Sequence, residues 1–471
     1  NLNYEYAVHD WTNCNDSAIE SNRKQLLRDE GNTPFHLESG PLLRIHLQKL
    51  PQSKCILTFT AHHIILDGWS LWVFCRDLGH CYDQLNGVDV TLPAANSYRQ
   101  YAELMVNYHN SEEGTADGEF WKRQFSDSIP TLDLPTDRAR AKLKTFRADR
   151  VDRVMDKELV AKLRAIGAKN QSSLFHVMLT GFNAYLSRIT QQDDFSIGIP
   201  TAGQGALERH DLIGHCVNAL PVRFQVDMES SLLSQLRSTR TKIIDALEHQ
   251  KYTFGTMLRE LAPQRDPPRP PIFSIMFNID PEVKTDELGF AGLEVNLNVE
   301  PRTFENMEWF LNGVIRTDGS VEFQCQFNAD LFDQETIANH LESYEAFLHS
   351  FVRDPNQKSA GLSLLSIDQK QKMIVDWNAS QLDYPIDSGV HHEISKQAKR
   401  TPDRIAVEFG EASLTYTELE KRSNQVARFL KTEGVKPRAL VGISMSRSES
   451  MLVTLLGIWK AGAGYVPLDP N

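Results

Sequence analysis

The chain has 471 residues, enough for about two to four domains, with 41% hydrophobic and 24% charged residues, the balance of an ordinary soluble globular protein. Its net charge of -12 disfavours nucleic acid as a partner and gives no footing on an anionic membrane. Six cysteines, none in a CxxC or a Cys/His cluster, exclude a disulfide scaffold and a zinc site and read as reduced thiols of a cytoplasmic protein.

No apolar run reaches the ~18–20 residues of a membrane span. The start, Asn1 to Glu5, has no initiator Met, basic stretch or apolar run, so it does not read as a signal peptide. Both ends are those expected of a fragment. Residues 55–61 are rich in apolar and β-branched types and predict a strand. Ser70 is the expected cap of a following helix with Leu71, Phe74, Leu78 and Tyr82 on one face. Ser173 should cap an amphipathic helix striped with Leu174, Val177, Met178, Phe182, Tyr185, Leu186 and Ile189. Phe195, Ile197 and Ile199 alternate as a strand that Pro200 should stop. Alternation predicts further strands at Phe273–Ile279, Val295–Val299 and Val321–Phe327. Asp333 opens a long helix ended by Asp354-Pro355. From about 353 to 389 periodicity fades into polar residues with Pro355, Pro385 and Trp377-Asn378, an interdomain linker whose last part is set at 371–389. A new rhythm then gives strands at 404–409, 439–445 and 465–468 and helices at 416–432 and 451–461. Sheets with helices packed on them make the fold α/β.

The most informative string is His62-His63-Ile64-Ile65-Leu66-Asp67-Gly68, in a loop between a strand and a helix. A neutral imidazole can take a proton from an ammonium or thiol at cell pH. Asp67 is spaced to hold the loop or orient His63, and Gly68 to let the chain turn sharply. The same residues also suit two loop histidines and a helix-capping Asp, and that reading stays open. A metal set of His62, His63 and Asp67 is disfavoured, because adjacent histidines point apart and no further ligand is near.

With the segments downstream, this motif resembles the condensation domains of nonribosomal peptide synthetases, in the chloramphenicol-acetyltransferase-like superfamily. The segments are Tyr98-Arg99-Gln100-Tyr101-Ala102, Phe120-Trp121 and Leu134 to Arg138, then Ile213-Gly214-His215-Cys216-Val217-Asn218 running on to Arg223. His249 to Phe254 and Arg265 to Pro271 complete the series. Each has a plain alternative: Asn218 as a turn residue, Arg223 in solvent, Trp69 and Trp72 in a core. The order and number of matches carry the likeness, which covers about residues 1–370.

The resemblance implies two lobes, the first truncated at its N-terminus: the remainder of the N-lobe over 1–98 and the C-lobe over 99–370, with the active site between them. It implies amide formation between a carrier-bound acyl or peptidyl thioester and an aminoacyl thioester. His63 would serve the attacking amine, His62 and Asp67 would support it, and Gly68, Trp69 and Asn218 would shape the substrate channel, with Arg223 structural. Upstream and downstream carrier domains with phosphopantetheine arms are the implied partners, with no nucleic acid, membrane, metal or cofactor bound by the chain itself. Two early family motifs, one with an Arg, have no counterpart here. The superfamily's motif Asp pairs with such an Arg, so Asp67 is expected to lack its partner.

Residues 390–471 resemble the start of an adenylation domain, through Leu414 to Leu419 and Trp459 to Asp469, with Gly464 where Ala is usual. A complete domain of that kind uses ATP and Mg. Its phosphate loop is not among these residues, so no activation of an amino acid is expected, and Lys460 reads as a helix-end cation. Asp67-Gly68-Trp69-Ser70 resembles domains taking L-configured or achiral donors, and Ala202-Gly203-Gln204 with 214–218 resembles those following polyketide modules. A free-standing acyltransferase using coenzyme A, an epimerisation domain and a non-catalytic docking module are the alternatives.

Overall fold

The computed structural model describes residues 4–264, 266–383 and 387–470. Arg265, Pro385 and the terminal residues therefore lie outside the described residues. The chain divides into two compact units, the first ending at Lys372 and the second starting at Met373.

The first unit begins with strand β1 (Glu5–Asp10), helix α1 (Asp16–Asn32), β2 (Leu43–Lys49), β3 (Cys55–Ala61) and α2 (Gly68–Leu85). β1 lies parallel to β2 through the α1 crossover, and β3 lies antiparallel to β2. Glu30, near the end of α1, ties helix to sheet by meeting Arg44 at 2.7 Å and His46 at 2.9 Å on β2. Burial pushes the Glu30 carboxyl up, but the Arg44 and His46 contacts outweigh it and hold the group below its ordinary range.

Helices α3 (Tyr98–His109) and α4 (Glu112–Gln124) lead into β4 (Ala148–Met155), α5 (Lys157–Lys169), α6 (Leu174–Thr190) and β5 (Asp194–Ala202). The short α7 (Gly203–Ala206), β6 (Val217–Gln225), α8 (Leu232–Glu248), α9 (Phe254–Leu261), β7 (Ile275–Pro281), β8 (Trp309–Ile315), β9 (Val321–Asn328) and α10 (Gln334–Arg353) follow. Their six strands form one sheet in the order β4-β9-β8-β7-β5-β6. The apolar stripe of α6 lies on it: Phe182 stacks on Phe277 of β7 and meets Trp309 of β8 edge-on. The Tyr344 hydroxyl of α10 donates to the Met178 carbonyl at 2.7 Å, so a buried phenol is satisfied at the helix contact. One core runs from Trp121 to Leu362.

Four expectations need correction. Asp67, not Ser70, caps α2, its carboxylate accepting from the Ser70 N–H. Pro200 does not stop β5. The strand continues to Ala202 along the edge strand β6, while its contact with β7 is confined to Gly198. A proline at the poorly paired end of a strand removes little from the ladder. Residues 293–300 alternate but form no strand. They are tied down only locally, by Arg150 donating to the Val299 carbonyl and by an Arg23–Glu300 ion pair, because alternation supplies a face but not a ladder partner. Finally, residues 358–362, at the start of the expected linker, belong to the first unit. Ser359 and Leu362 are buried, and the Ser359 and Ala360 N–H groups donate to the Ser230 and Met228 carbonyls. Helix α11 (Ile367–Ile374) follows.

The second unit holds α12 (Val390–Arg400), β10 (Ile405–Phe409), β11 (Ala412–Thr415), α13 (Tyr416–Thr432), β12 (Leu440–Ile443), α14 (Glu449–Lys460) and β13 (Gly464–Pro467). β10 and β11 form a hairpin, β12 and β13 a parallel pair. Thr415 and Glu418 make a capping box on α13. Lys460 is more than a helix-end cation: its ammonium reaches Glu420 at 2.6 Å and Ser423 at 2.8 Å, binding α14 to α13.

Candidate active site

The loop between β3 and α2 carries the histidine pair, and Asp67 fixes it. As helix cap the Asp67 carboxylate accepts from the Ser70 N–H at 2.8 Å and hydroxyl at 2.7 Å. From far along the chain it also accepts from Gln204 Nε2 at 3.0 Å, the Cys216 N–H at 2.9 Å and the Val217 N–H at 3.0 Å. Burial pushes its pKa up, but the bonds from Ser70, Cys216 and Gln204 outweigh this and hold it below the ordinary carboxylate value. Among the described residues no guanidinium pairs with Asp67, as expected, yet the carboxylate is not left unsatisfied. Hydrogen bonds from an amide, a hydroxyl and three backbone N–H groups replace a guanidinium.

The facing segment 214–217 is clamped from the same side. The Ser70 hydroxyl donates to the Gly214 carbonyl at 2.8 Å and accepts from the Gly214 N–H at 3.0 Å. The Tyr98 hydroxyl donates to the His215 carbonyl at 2.9 Å, and its ring lies so close that a Cβ on Gly214 would stand 2.1 Å from it. Trp69 donates its indole N–H to the His210 carbonyl at 2.9 Å, and Arg76 pairs with Asp211 at 2.8 Å. The start of α2 is thus bolted to residues 204–217, more than a hundred residues along the chain.

On this frame His63 is exposed, with its Nδ1 3.1 Å from Nδ1 of His215 and the rings edge to face. Burial, followed by the neighbouring His63, lowers the pKa of His215. His62 turns away: its Nδ1 accepts from the Ile64 N–H and its ring meets Phe35 edge-on. Gly68 is the first residue of α2 and a Cβ there would meet nothing within 4 Å, so the expected sharp turn is not what it provides.

The other expected site residues lie further off. Asn218 spends its amide on backbone, donating to the Gln250 and Tyr252 carbonyls and accepting from the Phe254 N–H, which pins residues 250–254 to β6. Arg223 is buried between Asp127 and Asp194, each 2.6 Å away. Ser70, Gln204 and His215 were not read as site residues from sequence. Ser70 was expected only to cap a helix, and Gln204 and His215 stood only inside quoted segments.

Residues 1–374 match the family described as "Condensation domain". The chain belongs to the condensation-domain family. Residues 394–471 match the family described as "AMP-binding enzyme". A linear gramicidin synthase of Brevibacillus parabrevis is 32% identical over 460 residues, 96% of this chain and 9% of that protein. Bacitracin synthase 3 of Bacillus licheniformis is 30% identical over 461 residues, 96% of this chain and 7% of that protein. The chain therefore spans less than a tenth of these relatives. A holo four-domain nonribosomal peptide synthetase bound to AMP and glycine is similar in fold, with a TM-score of 0.80 at 22% identity over 100% of this chain and 36% of that one. The first condensation domain of the calcium-dependent antibiotic synthetase, with a substrate analogue, gives 0.63 at 19% identity over 77% and 78%. The α/β fold expected from the motifs, with lobes of the condensation-domain type followed by the start of an adenylation domain, is borne out. Among the described residues, no helix is long and apolar enough to cross a membrane, and no cluster of His, Cys, Asp and Glu could hold a metal ion.

Proposed function

We propose that the first unit forms an amide bond between two thioesters. The amine of an aminoacyl thioester attacks the carbonyl carbon of an acyl or peptidyl thioester. The C–N bond forms, the C–S bond breaks, and the thiolate leaves. His63 takes the proton released by the amine nitrogen, and the departing sulfur takes up a proton in its turn. Holding both chains at one point supplies a further part of the rate. The substrates would arrive on the phosphopantetheine arms of upstream and downstream carrier domains.

The observation that carries this reading is an exposed His63 on a loop that Asp67 locks to the second lobe. Family membership supplies the reaction class. For the second unit no reaction is proposed. Its AMP-binding match is confined to 394–471, no metal cluster occurs among the described residues, and Lys460 is committed to Glu420.

The test uses the chain with carrier proteins loaded with L- and D-aminoacyl donors and aminoacyl acceptors. His63→Ala should lower condensation by about 10²-fold or more while leaving thermal melting near the wild-type value. A variant that condenses at the wild-type rate sinks the assignment.

A further inference from the structure

A contact between two Nδ1 atoms carries chemical information. At 3.1 Å the His63 and His215 rings are within hydrogen-bond distance. Two lone pairs would repel, as would two N–H groups, so one ring donates and the other accepts. In neutral imidazole one nitrogen carries the proton and the other the lone pair. If His63 accepts at Nδ1, its proton sits on Nε2 and the ring offers no base at its outer nitrogen. If His63 donates from Nδ1, Nε2 is a bare lone pair facing away from His215.

We propose that His215 is a positioning residue: it accepts the Nδ1 proton of His63 and thereby holds His63 in the tautomer whose Nε2 is free to act as base. The proposal rests on the reading of His63 as the base. It adds a group outside the motif, on the other lobe, that decides which nitrogen works.

Three observations support it. The backbone on each side of His215 is fixed by the site's own residues: Gly214 by Ser70, Cys216 by Asp67, and the His215 carbonyl by Tyr98. The backbone that carries the ring is therefore fixed. Burial and the nearby His63 lower the affinity of His215 for a second proton, so it remains a neutral acceptor near pH 7. Asp67 and then the backbone of His63 counter part of that shift. With Nδ1 accepting from His63, the one proton of a neutral His215 sits on Nε2. Asp67 thus acts on His63 twice, by shaping its loop and by placing the segment that bears its partner.

The experiment separates this role from simple packing. The full chain is labelled with 15N-histidine, and nitrogen–proton correlations through the rings assign the His63 tautomer by comparison with His63→Asn. The wild type should show His63 protonated at Nδ1. His215→Phe keeps an aromatic ring but removes the acceptor. It should shift His63 toward the Nε2–H form and lower kcat by about tenfold with KM little changed. His215→Asn sets an oxygen on Cγ, where histidine has Nδ1, so it should restore the Nδ1–H form and most of the rate. A wild-type His63 protonated at Nε2 overturns the proposal whatever the kinetics, as does a His215→Phe chain whose His63 keeps the Nδ1–H form. If His215→Phe melts early, the wild-type spectrum and the His215→Asn comparison still decide. A failure of the amide-forming reading would show separately, as a wild-type chain that condenses no loaded carriers while the tautomer stays as assigned.

Discussion

The Asp67 carboxylate and the Cys216 N–H, 149 residues apart, meet at 2.9 Å. That bond joins the cap of the helix behind the histidine loop to the strand-entry segment of the other lobe. Asp67 thereby has a single geometry that satisfies a helix end, a hydroxyl, a glutamine amide and two backbone donors together. A carboxylate with this many donors needs no counter-cation to remain ionised in a buried place.

Asp67→Asn should therefore be costly. The amide keeps one acceptor oxygen and turns an NH2 group toward N–H donors. Leaving buried donors unsatisfied costs about 1–3 kcal/mol each, so a loss of ~2–4 kcal/mol is expected for the first unit. The pH dependence has a definite sign. Because the folded pKa is depressed, the stabilisation is present above the unfolded carboxylate value and is lost as pH falls through the folded one. The melting difference between wild type and Asp67→Asn should be full at pH 7 and shrink below about pH 4. A difference that holds constant down to pH 3 would show that the charge is not what the site stabilises.

Arg223→Ala tests a residue that the family pattern marks and the geometry places away from His63. Its guanidinium is buried, and contacts with Asp194 and then Asp127 raise its pKa, while Arg223 holds Asp127 down at about 2. Removing one partner of a fully buried pair costs about 3–5 kcal/mol. Here both aspartates keep access to water, so about 2 kcal/mol is expected. Chemical denaturation should show that loss, and the protein that remains folded should condense at close to the normal rate. A large loss of rate without a loss of stability would move Arg223 into the active site.

Much of this was legible in sequence where the signal is periodic and local. The stripe from Leu174 to Ile189 and the alternation from Val321 to Phe327 each became the expected helix or strand, because burial on one face dictates the period. Among the elements passed over, strands β1 and β2 mix charges with apolar residues over Glu5–Asp10 and Leu43–Lys49 and owe their pairing to partners along the chain. The active-site loop was legible as a motif, but its bonds were not. Nothing in the residues around Asp67 announces Gln204, Cys216 or His215, because backbone donors brought in by the fold have no sequence signature. The absence of an Arg partner for Asp67 was legible, whereas the neutral donors that take its place were not.

The cysteines should divide sharply by reactivity. Burial pushes the Cys75 thiol to about 11 and the Cys216 thiol to about 12, and drives Cys325 well up. At pH 8 a thiol of pKa about 12 is ionised in roughly one molecule in 10⁴, and the thiolate is the nucleophile. Cys55 lies exposed at the start of β3. Iodoacetamide on the native chain, read by peptide mass spectrometry, should label Cys55 early and leave Cys75, Cys216 and Cys325 until the chain is denatured. Fast native labelling of Cys216 would show that the clamp between Asp67 and the 214–217 segment opens in solution.

Gly79→Ala sets two effects of opposite sign against each other. Gly79 lies inside α2, where alanine is favoured over glycine by about 1 kcal/mol on helix propensity alone. Yet segment 288–291 of the second lobe crosses the helix at that point. A Cβ would stand 1.8 Å from the Leu288 carbonyl oxygen and 2.8 Å from the Phe290 ring. The same crossing is fastened by Asp83, one turn later, which accepts from the Ala291 N–H at 2.5 Å, and by the buried Leu288 side chain. A backbone oxygen cannot swing aside like a side-chain tip, so the segment must lift off the helix. Forced overpacking costs about 1–3 kcal/mol, which exceeds the propensity gain. The expected result is a lower melting temperature with faster proteolytic cleavage between residues 283 and 300. If Gly79→Ala instead melts higher and resists protease, the close crossing of α2 by this segment is not present in solution, and helix propensity alone governs the site.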